Sequence, residues 1–123
     1  MSHISKIELE VTDLESLERA CSHIGLTLNR NQTTFKWYDG NGVCDHAIKI
    51  PGAEYEIGLI KKDGKYELQT DYWDGNIAKS IGENGGLLKQ RYAVEQIRTQ
   101  AVRKGYRVIE RQIENAVRLH VRM

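Results

Sequence analysis

Long apolar runs, disulfide-forming cysteines and catalytic fingerprints are all scarce in this chain, and each scarcity removes a class of function. No stretch of its 123 residues approaches the roughly 20 consecutive apolar residues that a membrane-crossing helix needs. The opening MSHISKIELE has no secretory apolar core, so a cytoplasmic protein without membrane contact is expected. Two cysteines, Cys21 in a helical pattern and Cys44 in a strand pattern, are too few for a disulfide framework and read as reduced thiols. No G-x-S-x-G, phosphate loop, H-E-x-x-H or dinucleotide fingerprint is present. The GENGG stretch at 82–86 precedes a helical pattern but lacks the spacing of a phosphate loop. Cys44 and His46 are two apart on a strand and share a face as two metal ligands would. Nothing places His3 or His120 beside them, so no metal, no cofactor and no catalytic residue is assigned.

What the chain does have is a division of charge. Residues 1–86 carry nine Lys or Arg against fourteen Asp or Glu, a net −5; residues 87–123 carry nine against three, a net +6. A basic third of this kind offers a surface to nucleic acid, nucleotide or an acidic partner. Alternatively its helix and strands are neutralised by acidic strands of the same sheet. With no separate basic tail or Gly/Arg-rich arm, the second reading is preferred, and no nucleic-acid binding is expected at physiological salt.

A chain of this length holds one ordinary core without staples, so residues 1–123 are expected to form a single α+β domain. Ile4 to Glu10 alternates as a strand. Thr12-Asp13-Leu14-Glu15 supplies a capping box for a helix whose stripe is Leu14, Leu17, Cys21 and Ile24 and whose αL cap is Gly25. A short strand at 26–29 follows. Strands at 33–38 and 43–50 flank the Asp39-Gly40-Asn41-Gly42 turn, the second ended by Pro51-Gly52. Residues 76–86, rich in Gly and Asn, read as a loop. From Leu87 a second helix runs with Leu87, Leu88, Val94, Ile97 and Ala101 as its apolar stripe and Gly105 as its cap. Strands at 106–113 and 117–123 close the chain around Glu114-Asn115. A two-residue loop there would oppose Arg111 to Arg118 and Arg107 to Arg122. A three-residue loop, which instead pairs Glu110 with His120, is preferred on charge. The sum is a largely antiparallel sheet with two helices on one face.

The most informative segment is YEIGLIKKDGKYELQTDYWDG, residues 55–75. Asp63-Gly64 suits a type I′ turn, in which both central residues take φ > 0. That turn sets Lys62 opposite Lys65, Ile60 opposite Glu67, Leu59 opposite Leu68 and Gly58 opposite Gln69. Continued outward, it sets Ile57 opposite Thr70, Glu56 opposite Asp71 and Tyr55 opposite Tyr72. The face with Leu59, Leu68 and Ile57 is core. The other face, with Glu67, Gln69, Asp71 and Glu56, meets water or lines a site.

Several short strings in order carry a resemblance over nearly the whole chain. They are Met1-Ser2-His3, the Tyr55, Ile57 and Gly58 cluster, Asp63-Gly64 followed by Tyr66-Glu67-Leu68, Asp71-Tyr72-Trp73, and Gln90-Arg91-Tyr92-Ala93 before Gly105-Tyr106. Together they resemble the conserved open-reading-frame proteins of unknown function found in algal plastid genomes, cyanobacteria and some of their phages. The chain departs from that pattern at Tyr72-Trp73 and in ending on Met123. The resemblance implies a fold but carries no activity with it.

Glu67, Asp71, Trp73, Arg91 and Tyr92 are the candidates for binding a ligand or partner. Glu67 and Asp71 lie about 13 Å apart along one strand face at roughly 3.3 Å per residue, beyond the about 5 to 9.5 Å of a cooperating carboxylate pair. Arg91 falls on the sheet-facing side of its helix and needs a carboxylate there, with Glu67 or Asp71 of the central hairpin as the expected partner. Three functions fit. The preferred one is a non-enzymatic interaction or oligomerising module anchored by Trp37, Tyr38, Tyr66, Tyr72 and Trp73, with a protein partner or a second copy as its target. The second is nucleic-acid or nucleotide binding through the basic third. The third is an enzyme of unfamiliar type.

Overall fold

The computed structural model describes residues 4–113 and 116–122. Met1-Ser2-His3 and the expected Glu114-Asn115 turn lie outside the described residues. In chain order the elements are β1 (Ser5–Val11), α1 (Leu14–His23), β2 (Thr27–Arg30), β3 (Thr34–Trp37), β4 (Gly40–Val43), β5 (His46–Lys49), β6 (Ile57–Lys62), β7 (Lys65–Thr70), α2 (Gly75–Ile81), a 3-10 turn (Glu83–Gly85), α3 (Gly86–Arg103), β8 (Arg107–Ile113) and β9 (Ala116–Arg122). Five strands form an antiparallel sheet in the order β1-β7-β6-β5-β2, while β3-β4 and β8-β9 are separate two-stranded ribbons. The architecture is α+β, as the element pattern implies. No helix among the described residues is long and apolar enough to cross a membrane.

The β6-β7 ladder runs from Gly58↔Gln69 through Leu59↔Leu68 and Ile60↔Glu67 to Lys62↔Lys65, in the register that the Asp-Gly turn dictates. Asp63 and Gly64 sit at φ 52° and 77°, the positive values a type I′ turn demands. Parity then sends Ile57, Leu59 and Leu68 to one face, where they meet Ile7, Ile48, Leu17, Leu88 and Tyr92 in the main core beneath the helices. On the reverse face the β3-β4 ribbon folds over Gly58, and Phe35, Cys44 and Ala47 make a second small core with Ile4 and Ile60 against them. Gly58 and Gly42 are required by this contact, since a Cβ on either would overlap the Phe35 ring. The turn of that ribbon is shorter than expected. Trp37 pairs with Gly40, so Gly40-Asn41-Gly42 belongs to a strand, and β5 is a separate strand beginning at His46.

Three further differences have physical reasons. The capping box on Thr12 does not form, because Asp13 is the N-cap: its Oδ1 accepts from the Glu15 N–H at 3.2 Å and its Oδ2 from Ser16 Oγ at 2.6 Å. Residues 75–81 form a helix where a loop is expected, capped by Asp74 and fastened by Ile77 and Ile81, both fully buried one turn apart. The final ribbon adopts the two-residue register that charge argues against, with Arg107↔Arg122, Ile109↔His120, Glu110↔Leu119 and Arg111↔Arg118. A one-residue slip would move Val117 and Leu119 off the face shared with Val108 and Glu110. Val108, Val117 and Leu119 are half-buried on that face, and covering part of each, where complete burial is worth about 1.5–3 kcal/mol, offsets like-charge pairs that cost about 0.2–1 kcal/mol.

Candidate functional site

Where β7 ends, the backbone turns through Asp71-Tyr72-Trp73-Asp74 into α2. Asp71 is buried, and its carboxylate ties two segments together: Oδ1 accepts from the Trp73 N–H at 2.9 Å and Oδ2 from the Tyr38 N–H at 3.2 Å. Asp74 repeats the device three residues later. Its Oδ1 accepts from the Asn76 N–H at 3.0 Å, capping α2, and its Oδ2 from the Glu54 N–H at 2.7 Å. Burial alone would raise Asp74, but the N–H groups of Asn76 and Glu54 outweigh it and hold the carboxyl below its ordinary range. Two aspartates therefore knit the β3-β4 turn, the β5-β6 connection and the start of α2 into one surface.

Two aromatic rings stand on that surface. Trp73 is 66% exposed and Tyr38 63%, while the backbone N–H of each is fixed by donation to one buried carboxylate. Tyr55 is buried at their base, and its phenol is pushed up by burial first and by the charge of Asp71 second. Beside Trp73 lies an open hollow of about 360 Å³, lined by Gly52, Glu54, Tyr55, Asp74 and Asn76. Glu54 and Asp74 line that hollow with Trp73, and the exposed Asp39 follows Tyr38 in the chain, so carboxylates border the rings. Of the other expected anchors, Trp37 and Tyr72 are half-buried, and Tyr66 is packed edge-on against His46 with centroids 5.3 Å apart.

Glu67 lies elsewhere, in a cleft of about 590 Å³ whose walls include Lys6, Glu8, Lys62 and Tyr66. It accepts from Gln69 Nε2 at 2.6 Å and pairs with Lys62 at 3.2 Å and Lys6 at 3.4 Å. The Gln69 hydrogen bond, then the lysines, hold its carboxyl below the ordinary range against the effect of burial. Among the described residues Glu67 and Asp71 share no partner, in keeping with the separation that excludes a carboxylate pair.

Arg91 and Tyr92 occupy a third place and act on the fold. Arg91 is buried and does need carboxylates, but its partners are Glu110 and Glu95, not Glu67 or Asp71. Its Nη1 and Nη2 donate to the two Glu110 oxygens, each at 2.8 Å, and Nη2 also to Glu95 at 2.7 Å. Arg98 adds a 2.6 Å bond to Glu110. The helical phase is the reason. Leu88, Val94 and Ala101 of the expected stripe are buried, but Leu87 and Ile97 are each 44% exposed, and Tyr92, Glu95 and Thr99 are buried with Arg91, which is turned toward β8 instead of the central hairpin. Glu110 responds strongly: the bidentate Arg91 contact, assisted by Arg98, outweighs burial and holds its carboxyl at about 2. Tyr92 Oη accepts from the Thr12 and Asp13 N–H groups at 3.1 and 3.2 Å, locking α3 to the start of α1.

The five candidates thus fall in three places: Asp71 with Trp73, Glu67 by itself, and Arg91 beside Tyr92, of which only Asp71 and Trp73 are joined by a hydrogen bond among the described residues. Cys44 Sγ donates to Gln32 O at 3.2 Å while the Asn31 N–H donates to His46 Nδ1 at 2.9 Å, so the pair is committed to separate backbone groups. Burial first, and the nearby carboxylates of Asp45 and Glu56 next, push the Cys44 thiol up to about 11. Burial pushes Cys21 up to about 12. Both thiols are poor nucleophiles in these settings. Among the described residues no cluster of three or more His, Cys, Asp or Glu is arranged to hold a metal ion. The role of Asp74 escapes the sequence reading, although Asp-Gly before Ile77 and Ile81 is a helix-start signal.

Among known proteins, the family described as "Protein of unknown function (DUF1257)" matches residues 20–121. An "Uncharacterized protein ycf35" of Cyanophora paradoxa is 24% identical over 117 residues, covering 93% of this chain and 89% of that protein. Both accord with the resemblance to uncharacterised plastid and cyanobacterial proteins. No solved structure matches the chain.

Proposed function

The chain belongs to the family of proteins of unknown function described as DUF1257, and from that premise we propose that it is a non-enzymatic interaction module that docks a protein partner on the Tyr38-Trp73 surface. The observation that carries this reading is the pairing of exposure with rigidity: two bare aromatic rings on backbone segments held by one buried carboxylate, Asp71. Interface anchors are large side chains, often Trp and Tyr, that lose little conformational freedom on binding. The acidic surroundings, Glu54 and Asp74, favour a partner that brings an Arg or Lys side chain onto the rings.

The test is a comparison of baits. The parent chain and the Tyr38→Ser/Trp73→Ser double variant are used to capture proteins from the native host, and sedimentation velocity is run on both. Polypeptides retained by the parent and lost by the variant support the reading, as does a parent dimer that the variant dissociates. Identical capture and identical sedimentation of the two baits contradict it.

A further inference from the structure

The charge of the basic third is only partly answered within the fold. Arg91 and Arg98 pair with Glu95 and Glu110, which belong to the same third. Among the described residues no ion pair joins a basic residue of α3, β8 or β9 to an acid of the five-stranded sheet, and none is formed there by Arg107, Arg111, Arg118 or Arg122. Register gathers those four. Arg107↔Arg122 and Arg111↔Arg118 are two cross-strand pairs with Ile109↔His120 between them, and strand parity puts all six residues on one face. All four arginines are exposed. The opposite face carries Glu110, whose bonds to Arg91 and Arg98 hold the ribbon against α3.

We propose that this outer face of β8-β9 is a binding surface for the phosphate backbone of double-stranded DNA. Two charge pairs stand about 13 Å apart along the ribbon at roughly 3.3 Å per residue, so the face offers four guanidinium groups in a regular array. Every cation in it is arginine, whose planar fork matches phosphate oxygens bidentately where a lysine supplies only a point charge. A two-stranded antiparallel ribbon fits the major groove of B-DNA, about 12 Å wide, whereas the major groove of duplex RNA is too deep and narrow to admit side chains. Ile109 and His120 fill the centre of the face, and it bears no Trp, Tyr or Phe on which unpaired bases would stack. A duplex, read through its backbone, is the ligand that this surface suits.

The experiment is fluorescence anisotropy of a labelled DNA duplex of arbitrary sequence, titrated with the full chain over a series of salt concentrations. With four phosphates neutralised, log K should fall against log salt with a slope of about −3.6. Arg111→Gln/Arg118→Gln should reduce that slope to about −1.8 and weaken binding at low salt. Lys62→Gln/Lys65→Gln, which alters an exposed cross-strand pair on the sheet, should change neither. Because the ribbon substitutions remove like-charge neighbours, the variants should fold, which circular dichroism checks before titration. The proposal is overturned by absence of binding at low salt, by ribbon variants with an unchanged slope, or by tighter binding of a single strand or of duplex RNA than of duplex DNA. It is overturned equally by heparin binding that no DNA can match.

Discussion

The hairpins β6-β7 and β8-β9 are both antiparallel and both oppose like charges across their ladders, yet they resolve that conflict in opposite ways. In β6-β7, Lys62 faces Lys65, but Lys62 reaches Glu67 at 3.2 Å and Lys65 reaches Glu10 on the neighbouring strand at 3.3 Å. In β8-β9 the two arginine pairs have no carboxylate within reach among the described residues, because the one acid of that register, Glu110, points to the other face and is consumed by Arg91 and Arg98. The first hairpin lies inside a five-stranded sheet with strands on both sides to supply partners; the second stands alone. A sheet thus neutralises its own surface, whereas an isolated ribbon with one packed face leaves its charge to whatever lies outside.

The largest effect should come from detaching the second hairpin from its helix. Arg91→Met leaves Glu95 and Glu110 short of a cation, a loss of about 3–5 kcal/mol for a buried pair with one partner removed, with Arg98 keeping it toward the lower figure. In a double-mutant cycle by denaturant unfolding, Arg91 should couple to Glu110, while cycles with Glu67→Gln and Asp71→Asn should return no coupling beyond about 0.5 kcal/mol. Acid should act on the same contact. Glu110 is held at about 2 against its ordinary 4.5, so its contribution is complete above about pH 4.5 and is lost as the pH falls from there toward 2. Denaturant midpoints measured down that range should decline more steeply for the parent than for Glu110→Gln.

The first hairpin should be more sensitive to its turn and its reverse face. Gly64 stands at φ 77° with nothing within 4 Å of a Cβ, so Gly64→Val tests conformation alone and should cost about 1–3 kcal/mol. An unchanged melting temperature would remove the reason given for the β6-β7 register. Gly58→Ala drives a Cβ into the Phe35 ring and should cost about 1–3 kcal/mol by overpacking. Phe35→Leu in the same chain should return part of that loss.

The two hairpins also differ in how well they can be read from the chain. The β6-β7 register is legible because Asp63-Gly64 admits few backbone solutions, and each pair follows by counting. The expected Glu114-Asn115 turn of the last ribbon contains no glycine, and weighing the ribbon's charges without its packing leads to the wrong register, since the half-buried Val108, Val117 and Leu119 share one face. Arg91 is legible as a buried cation but not its partner. Taking Leu87 and Ile97 as buried rotates α3 by part of a turn, and the true stripe contains the polar Glu95 and Thr99, which no hydrophobic pattern reveals. Asp71 and Trp73 stand out as a cluster in the sequence; that Tyr38 joins them depends on a hydrogen bond across 33 positions, which only the fold shows.

Smallest in energy but most direct is a pair of charge reversals. Arg111→Glu places a carboxylate opposite Arg118, and Lys62→Glu places one opposite Lys65 but beside Glu67 and at the loss of the Lys62-Glu67 bridge. Exposed pairs of this kind are worth about 0.2–1 kcal/mol. Thermal unfolding at low salt should show Arg111→Glu melting above the parent and Lys62→Glu at or below it, with the Arg111→Glu gain shrinking as salt is added. A fall in melting temperature for Arg111→Glu, matching that of Lys62→Glu, would mean that the ribbon arginines are already neutralised and would contradict the account.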